Sequence, residues 1–464
     1  MKSTNRLPLL LGALMVCPLL FGAGAERGAL RVGAARVDVT PPVNPAYPPS
    51  GKYDHERLYI RAIVLDNGIT RAALIGADAG GLGEDVYGAA SKEIAGELKC
   101  PVENIIMSAT HSHSAVPAGP PPAGPPPSQP TASVVAAMMA AVRQAKGKLQ
   151  PAEAGFGTGF SYLNVNRDVV SDETHLWTQA ANLNGASDKT VAVVTFTTPA
   201  GDPIAVYMNY AMHPVNGYLA GITSADFPGA ACRYVEKAFD DKAVVVFTQG
   251  ASGDQNPLLL RPATNALASK GGIKITGYDL VRESVEAPLR DGKVPHGPLE
   301  PKVADNLERW MESEGQLLGE EVIRVMTNTK KMSANLPIWG AQTTLTCPGR
   351  TRTNSGREGQ PGIYQDGDPV NIRLGMVGIG DTALTTVDAE IYTPIWQRMK
   401  KLSPMANTLM VTLANGRANS GYIPNDAAFG ANTFQVLGSR LQEGCAEQGI
   451  ANGLAAMVTQ YAAK

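Results

Sequence analysis

Two of the six histidines in this 464-residue sequence stand two apart, in Thr110-His111-Ser112-His113-Ser114, directly after the apolar stretch Asn104 to Ala109. That stretch reads as a strand, and in open α/β sheets ligands bind beyond the carboxyl ends of strands. In an extended segment residues i and i+2 share a face, so the spacing puts both imidazoles on one side. A lone histidine here would more often be a packed polar residue, but neutral imidazole is a ready zinc ligand near pH 7, and the pair brings the metal reading level with the packing one. The pattern recurs along the chain. His213 follows Ile204 to Tyr210, Gly250-Ala251-Ser252-Gly253-Asp254 follows Ala243 to Phe247, Glu390 follows Ala383 to Val387, and Tyr422 lies in a Gly-rich loop after Thr408 to Leu413. Nitrogen and oxygen donors of these types suit a borderline cation and differ from the cysteine-rich set of a structural zinc site.

The elements that must position these residues alternate. Arg57 to Leu65, Arg71 to Ile75 and Asn104 to Ala109 read as strands, with helices at Glu84 to Lys99 and Ala132 to Lys146. Val191 to Thr198 and Ile204 to Tyr210 predict a hairpin turned by Pro199-Ala200-Gly201-Asp202-Pro203. Phe227 to Phe239 predicts a helix, Ala243 to Phe247 a buried strand, and Pro301 to Thr327 a long amphipathic helix. Beyond it come strands Ile372 to Ile379, Ala383 to Val387 and Thr408 to Leu413, a helix Pro394 to Lys401, and a terminal helix from about Phe434. This order predicts an α/β fold, a mixed sheet layered with helices, in a single catalytic domain. Two stretches read as irregular: Pro117 to Pro130, where proline runs stiffen the backbone, and Gly349 to Gly367.

Composition narrows the setting. The chain is 44% hydrophobic and 18% charged, ample material for a large core, which excludes disorder. Residues 1–25 combine Lys2 and Arg6, an apolar run Leu9 to Phe21, and Ala23-Gly24-Ala25, the pattern of a signal peptide, so the mature chain is expected to run 26–464 as a secreted or periplasmic protein. The run is shorter than the roughly 20 residues of a bilayer span, so no transmembrane span is expected. Removing Lys2 and Arg6 from 40 basic residues leaves 38 against 42 acidic, a net charge of −4 with no basic cluster, which argues against nucleic acid as a partner. Cys100, Cys232, Cys347 and Cys445 allow one or two disulfides whose pairing the spacing leaves open, as it does the oligomeric state.

Taken together, these motifs resemble the neutral (non-lysosomal) ceramidase family, in its N-terminal catalytic domain, over most of the mature chain. Val32-Gly33-Ala34-Ala35-Arg36-Val37-Asp38-Val39-Thr40-Pro41 is similar to the family's opening strand, and Thr110-His111-Ser112-His113-Ser114 to its metal segment. Asn209-Tyr210-Ala211-Met212-His213-Pro214, Ser224-Ala225-Asp226-Phe227-Pro228-Gly229, Gln249 to Pro257, Asp388-Ala389-Glu390 and Ser420-Gly421-Tyr422-Ile423-Pro424 follow in the family's order. The resemblance implies that His111, His213, Glu390 and Tyr422 bind one zinc ion, that His113 lines the site beside it, and that Arg167 is the active-site arginine. It implies hydrolysis of an amide in an N-acyl lipid by zinc-activated water, with Arg167 and His113 acting on the oxyanion and leaving amine.

The sequence departs from the family's pattern at three places. Asn256 stands at the serine of the nucleophile motif; it can hydrogen-bond a substrate but cannot attack it. Phe434 stands twelve residues beyond Tyr422, where the family has a second tyrosine, and no C-terminal immunoglobulin-like domain is expected. These departures keep other readings open: a related ester or non-ceramide hydrolase acting on a small lipid-like amide or ester, a serine hydrolase using Ser252 or Ser114, or a metal-bound protein that binds without catalysis.

Overall fold

The structure, a computed structural model, describes residues 26–49, 57–120, 130–218, 220–258, 260, 301–355 and 358–464. The anticipated signal segment and the proline runs at 120–127 lie almost wholly outside them.

Three larger sheets carry the fold, where the sequence pattern anticipated one. The first has the order Ile105–Ala109, Arg71–Ala77, Tyr59–Asp66, Arg31–Asp38, Gln150–Pro151; the second Val244–Gln249, Pro203–Tyr210, Thr190–Thr197, Glu153–Phe160. The third runs Arg27–Ala29, Asn335–Arg352, Tyr364–Ile379, Thr382–Val387, Thr408–Val411. Continuous apolar strands mark sheets buried on both faces. Accordingly Ile63 and Leu65 pack against Phe196, Tyr207 and Val246 of the second sheet. Their neighbours Ile60, Ala62 and Val64 face helices Glu84–Leu98 and Thr131–Gly147. The second sheet turns Val193, Met208 and Phe247 toward helices Asp226–Ala238 and Pro301–Asn328. The centre is thus helix, sheet, sheet, helix, and the α/β layering read from the sequence holds. The third sheet packs Ile372, Leu374 and Met376 on helices Thr393–Leu402 and Ala446–Ala462 through Trp396, Leu454 and Val458.

One topological feature creates the site. Each large sheet is antiparallel except for one parallel pair at an edge: Arg71–Ala77 with Ile105–Ala109, Pro203–Tyr210 with Val244–Gln249, and Thr382–Val387 with Thr408–Val411. Parallel neighbours end on the same side, so each pair delivers two loops to one place. The segment after Thr408–Val411 then ties the three edges together. Thr412 N donates to Gln249 O, Ala109 N to Leu413 O, and Asn415 N to Met107 O, at 2.9, 3.3 and 2.7 Å. The Asn415 side chain completes the edge by accepting from Met107 N and donating to Ile105 O.

Elsewhere the structure differs from the sequence reading. Gly349 to Gly367 is the outer part of a long hairpin, with Gly349 opposite Gly367 and Arg352 opposite Tyr364. Its Gly and Asn content suggests a loop, but a Cys347–Cys445 disulfide and the Arg350 N to Arg440 O bond at 2.7 Å fasten it to the C-terminal segment. Closing a loop with a 98-residue separation contributes on the order of 2–4 kcal/mol. Cys100 and Cys232 are free, and burial pushes the Cys232 thiol up to about 12. The terminal helix is two, Phe434–Gly438 and Ala446–Ala462. Among the described residues, no helix is long and apolar enough to cross a membrane.

Candidate metal centre

His111 and His213 meet at the junction of the first two sheets, each oriented by a carbonyl from the loop after the neighbouring parallel strand. His111 Nδ1 donates to Gly80 O at 2.6 Å, and His213 Nδ1 to Ser252 O at 2.7 Å. A carbonyl can only accept, so both Nδ1 atoms carry the proton and both Nε2 atoms present lone pairs. Those lone pairs face one another at 3.2 Å, and Glu390 Oε2 stands 3.1 Å from one and 3.2 Å from the other. His113 Nε2 is 3.4 Å from His111 Nε2. Converging acceptors repel unless something cationic lies among them, and His111, His113 and His213 are so placed that they could hold a metal ion.

The sequence reading put His111 in an extended segment. Its φ is in fact +67°, the left-handed region, which L residues rarely adopt. The short bond to Gly80 O fixes this conformation, and a strained residue of this kind commonly marks a functional position. Both imidazoles still reach the same space, by a turn rather than by alternation.

The third sheet supplies the remaining groups. Glu390–Ile391 and Tyr422–Ile423 pair as a two-residue parallel ladder with Glu390 opposite Tyr422. Burial opposes ionisation of Glu390, yet the facing His111 and His213 hold its carboxyl well below the usual carboxylate range. Burial and the adjacent Glu390 push the Tyr422 phenol up, and its hydroxyl hydrogen-bonds Arg167 and Glu390. Burial pushes His213 down to about 4, reinforced by Arg167; burial and the other two imidazoles take His113 well below its ordinary value. Both are therefore neutral at pH 7, as ligation or proton acceptance requires.

Arg167 lies in strand Asn164–Val170, which pairs with Gln255–Pro257. It donates to Gly253 O at 2.6 Å and Asn256 Oδ1 at 3.2 Å and sits 5.3 Å over the Tyr422 ring. Asn256 is thus beside Arg167 with its amide oxygen already taken. Phe434, half exposed, puts its ring 5.9 Å from that of Tyr422. All seven residues singled out from the sequence as ligands or catalytic groups are brought together. Ser252 and Ser114 are buried near them, but among the described residues neither hydroxyl is hydrogen-bonded to a histidine; Ser252 contributes its carbonyl instead.

Sequence reasoning missed Tyr218, whose ring stands edge-on to His113 at 5.1 Å, and Arg417, 3.8 Å from Glu390. It also missed what holds the His213–Tyr218 loop. Asn216 donates to Glu314 at 2.6 Å and to Asp226 at 2.9 Å, while Gly217 N donates to Asp226 at 3.0 Å. Burial first, then the Asp226 charge, pushes the Glu314 carboxyl up to about 8. A folded pKa raised above its ordinary 4.5 means stability is full below pH 4.5 and is lost as pH rises toward 8. Glu314→Gln keeps the shape without the titration, so the variant should match wild type near pH 4.5 and exceed it by about 3 kcal/mol at pH 7. Parallel melting temperatures for the two proteins between pH 4.5 and 8 would contradict this.

Residues 32–271 match the family model described as neutral/alkaline non-lysosomal ceramidase, N-terminal. The fold is similar to that of a ceramidase solved in complex with C2, at a TM-score of 0.65 and 14% identity, over 94% of this chain and 75% of that one. It is also similar to the neutral ceramidase of Pseudomonas aeruginosa, at a TM-score of 0.64 and 14% identity, over 94% and 74%. Identity this low speaks for the fold, while the family model spans more than half of the sequence. The chain belongs to the neutral/alkaline non-lysosomal ceramidase family of hydrolases.

Proposed function

We propose that the chain is an exported zinc amidohydrolase of N-acyl lipids, in which His111, His213, Glu390 and Tyr422 hold one zinc ion. The observation that carries this reading is the triangle of His111 Nε2, His213 Nε2 and Glu390 Oε2, with edges of 3.1–3.2 Å. Ligands about 2.0–2.1 Å from a tetrahedral zinc lie about 3.3–3.4 Å apart, so one small ion fits the triangle with little movement. When bound, zinc would polarise an acyl carbonyl and acidify a water molecule. His113 is the most open of the three histidines and neutral, so it can take up a proton and pass it to a leaving nitrogen. Arg167, permanently charged and held by Gly253 O, and Asn256, through its Nδ2, are donors for developing charge on the carbonyl oxygen.

The test is zinc analysis of the purified protein with hydrolysis of a short-chain ceramide and a panel of amides and esters, before and after chelation. About one zinc per chain is expected, with amide hydrolysis abolished by the chelator and restored by zinc. Activity that survives complete metal removal would point to a serine hydrolase. Stoichiometric zinc with no substrate turned over would point to a binding protein.

A further inference from the structure

Beside the histidine centre, on the side of Glu390, lies a cavity of about 440 Å³ whose wall includes Arg350, Arg373, Arg417 and Arg440. Arg417 belongs to both places, since it lines the cavity and reaches within 3.8 Å of Glu390. The four guanidiniums are not equally compensated. Arg373 grips Glu84 through two bonds of 2.6 and 2.9 Å and has Asp388 at 3.7 Å, so its charge is spent. Among the described residues Arg417 makes one ion pair, with Glu390 at 3.8 Å, a carboxylate already committed to two imidazoles. The Arg440 side chain is exposed and makes no hydrogen bond or ion pair among the described residues.

Arg350 is the most telling. Its Nη2 donates to Val436 O at 2.6 Å and its Nε to Ser439 O at 3.3 Å, and the guanidinium stacks at 3.8 Å on the Tyr364 ring and 4.8 Å from Phe429. These contacts fix the plane of the fork but supply no carboxylate, and Nη1 is left without a protein acceptor among the described residues. Burial lowers its pKa, partly offset by Tyr364 and by the charge of Glu443, which does not line the cavity. Asp368 is the one further carboxylate on the wall, against Arg350, Arg417 and Arg440 together. A pre-positioned guanidinium with a free donor edge is the usual receptor for a carboxylate or phosphate.

We infer that this cavity is an anion site that takes a carboxylate or phosphate-type group next to the hydrolytic centre. Such a group either belongs to the substrate, making it an acidic N-acyl compound, or arrives as a free anion. The substrate-borne source rests on the hydrolase reading above; the anion site itself does not.

Two measurements on the zinc-loaded protein decide it. The first is calorimetric binding of inorganic phosphate to wild type and to Arg440→Gln and Arg440→Glu, whose side chain is exposed and bonds to nothing that holds the fold. Loss of one charge-assisted bond predicts about tenfold weaker phosphate binding in Arg440→Gln and a larger loss in Arg440→Glu. Because Arg440 lines the cavity and, among the described residues, makes no contact with the imidazoles, that difference separates the cavity from phosphate held at the metal. The second is the kcat/KM ratio for an N-acyl amino acid over its methyl ester. A ratio above one in wild type that falls about tenfold in Arg440→Gln assigns the anion to the substrate. A ratio near one in both, with phosphate binding still sensitive to Arg440, assigns it to a free anion. Phosphate binding unaffected by both substitutions overturns the site. If no substrate of either kind is cleaved while phosphate binding depends on Arg440, the hydrolase reading fails and the anion site stands.

Discussion

His213→Ala is expected to lower bound zinc from about one per chain to under a tenth and to cut kcat/KM for an amide substrate by at least about 10³-fold, since even outer-shell changes at metal sites cost about 10–100-fold. The residue is fully buried, and its Nε2 forms two edges of the triangle with His111 and Glu390. Its loss leaves Ser252 O and Gln255 O without the Nδ1 proton that now serves both, at 2.7 and 3.1 Å, so folding must be checked by circular dichroism and melting temperature. His111→Ala is the poorer test, because alanine would also have to hold φ +67°. His175→Asn makes a suitable control: that histidine is exposed and outside the centre, and asparagine tolerates its φ of +54°. If His213→Ala keeps both its zinc and its activity, the ligand assignment is wrong.

Much of this was legible because burial on both faces leaves a plain trace. Runs such as Ile204 to Met208 and Val244 to Phe247 are apolar without interruption, and chemistry-bearing segments follow them within a few residues. What could not be read is how those ends are brought together. Convergence depends on which strands pair in parallel and on the cross-links from Thr412, Leu413 and Asn415, none of which has a signature in its own segment. Glu390 and Tyr422 are 32 positions apart yet directly opposed in a two-residue ladder. Strand Glu153–Phe160 escaped notice for a different reason. Its Gly155, Gly157 and Gly159 alternate, and a Cβ at each would strike Met332, Thr329, Val325 or Glu321, so the glycines form a flat bed for the long helix and its C-terminal end. Glycine alternating with other residues looks like a loop until the packing helix is known. The outer hairpin around Arg350 misled in the same way, since it is held by a disulfide and by contacts to residues 436–440, far away in sequence.

The second large effect should come from Arg167. Under the proposed reading it is the charged donor nearest to the acyl oxygen, and its fork is fixed by Gly253 O, Asn256 Oδ1 and the Tyr422 ring rather than by a surface carboxylate. Behind it, Asp168 accepts from Tyr392 at 2.7 Å and from Gln435 at 3.0 Å, so the neighbouring charge is itself held in place. Arg167→Lys keeps the charge but loses the fork, and a single ammonium cannot reach Gly253 O and Asn256 and still face the substrate. Losing one pre-organised oxyanion donor costs about 10²–10³-fold in kcat, so a fall of that order is expected, with KM changed much less and zinc content near wild type. Asn256→Ala removes an acceptor that aligns the guanidinium and one amide donor, and about a tenfold loss in kcat is expected there. The two effects should be less than additive in Arg167→Lys/Asn256→Ala, because both act through one hydrogen-bonded unit. A kcat for Arg167→Lys within twofold of wild type would remove this arginine from the chemistry and reduce it to a strut between strand Asn164–Val170 and the Gly253 turn.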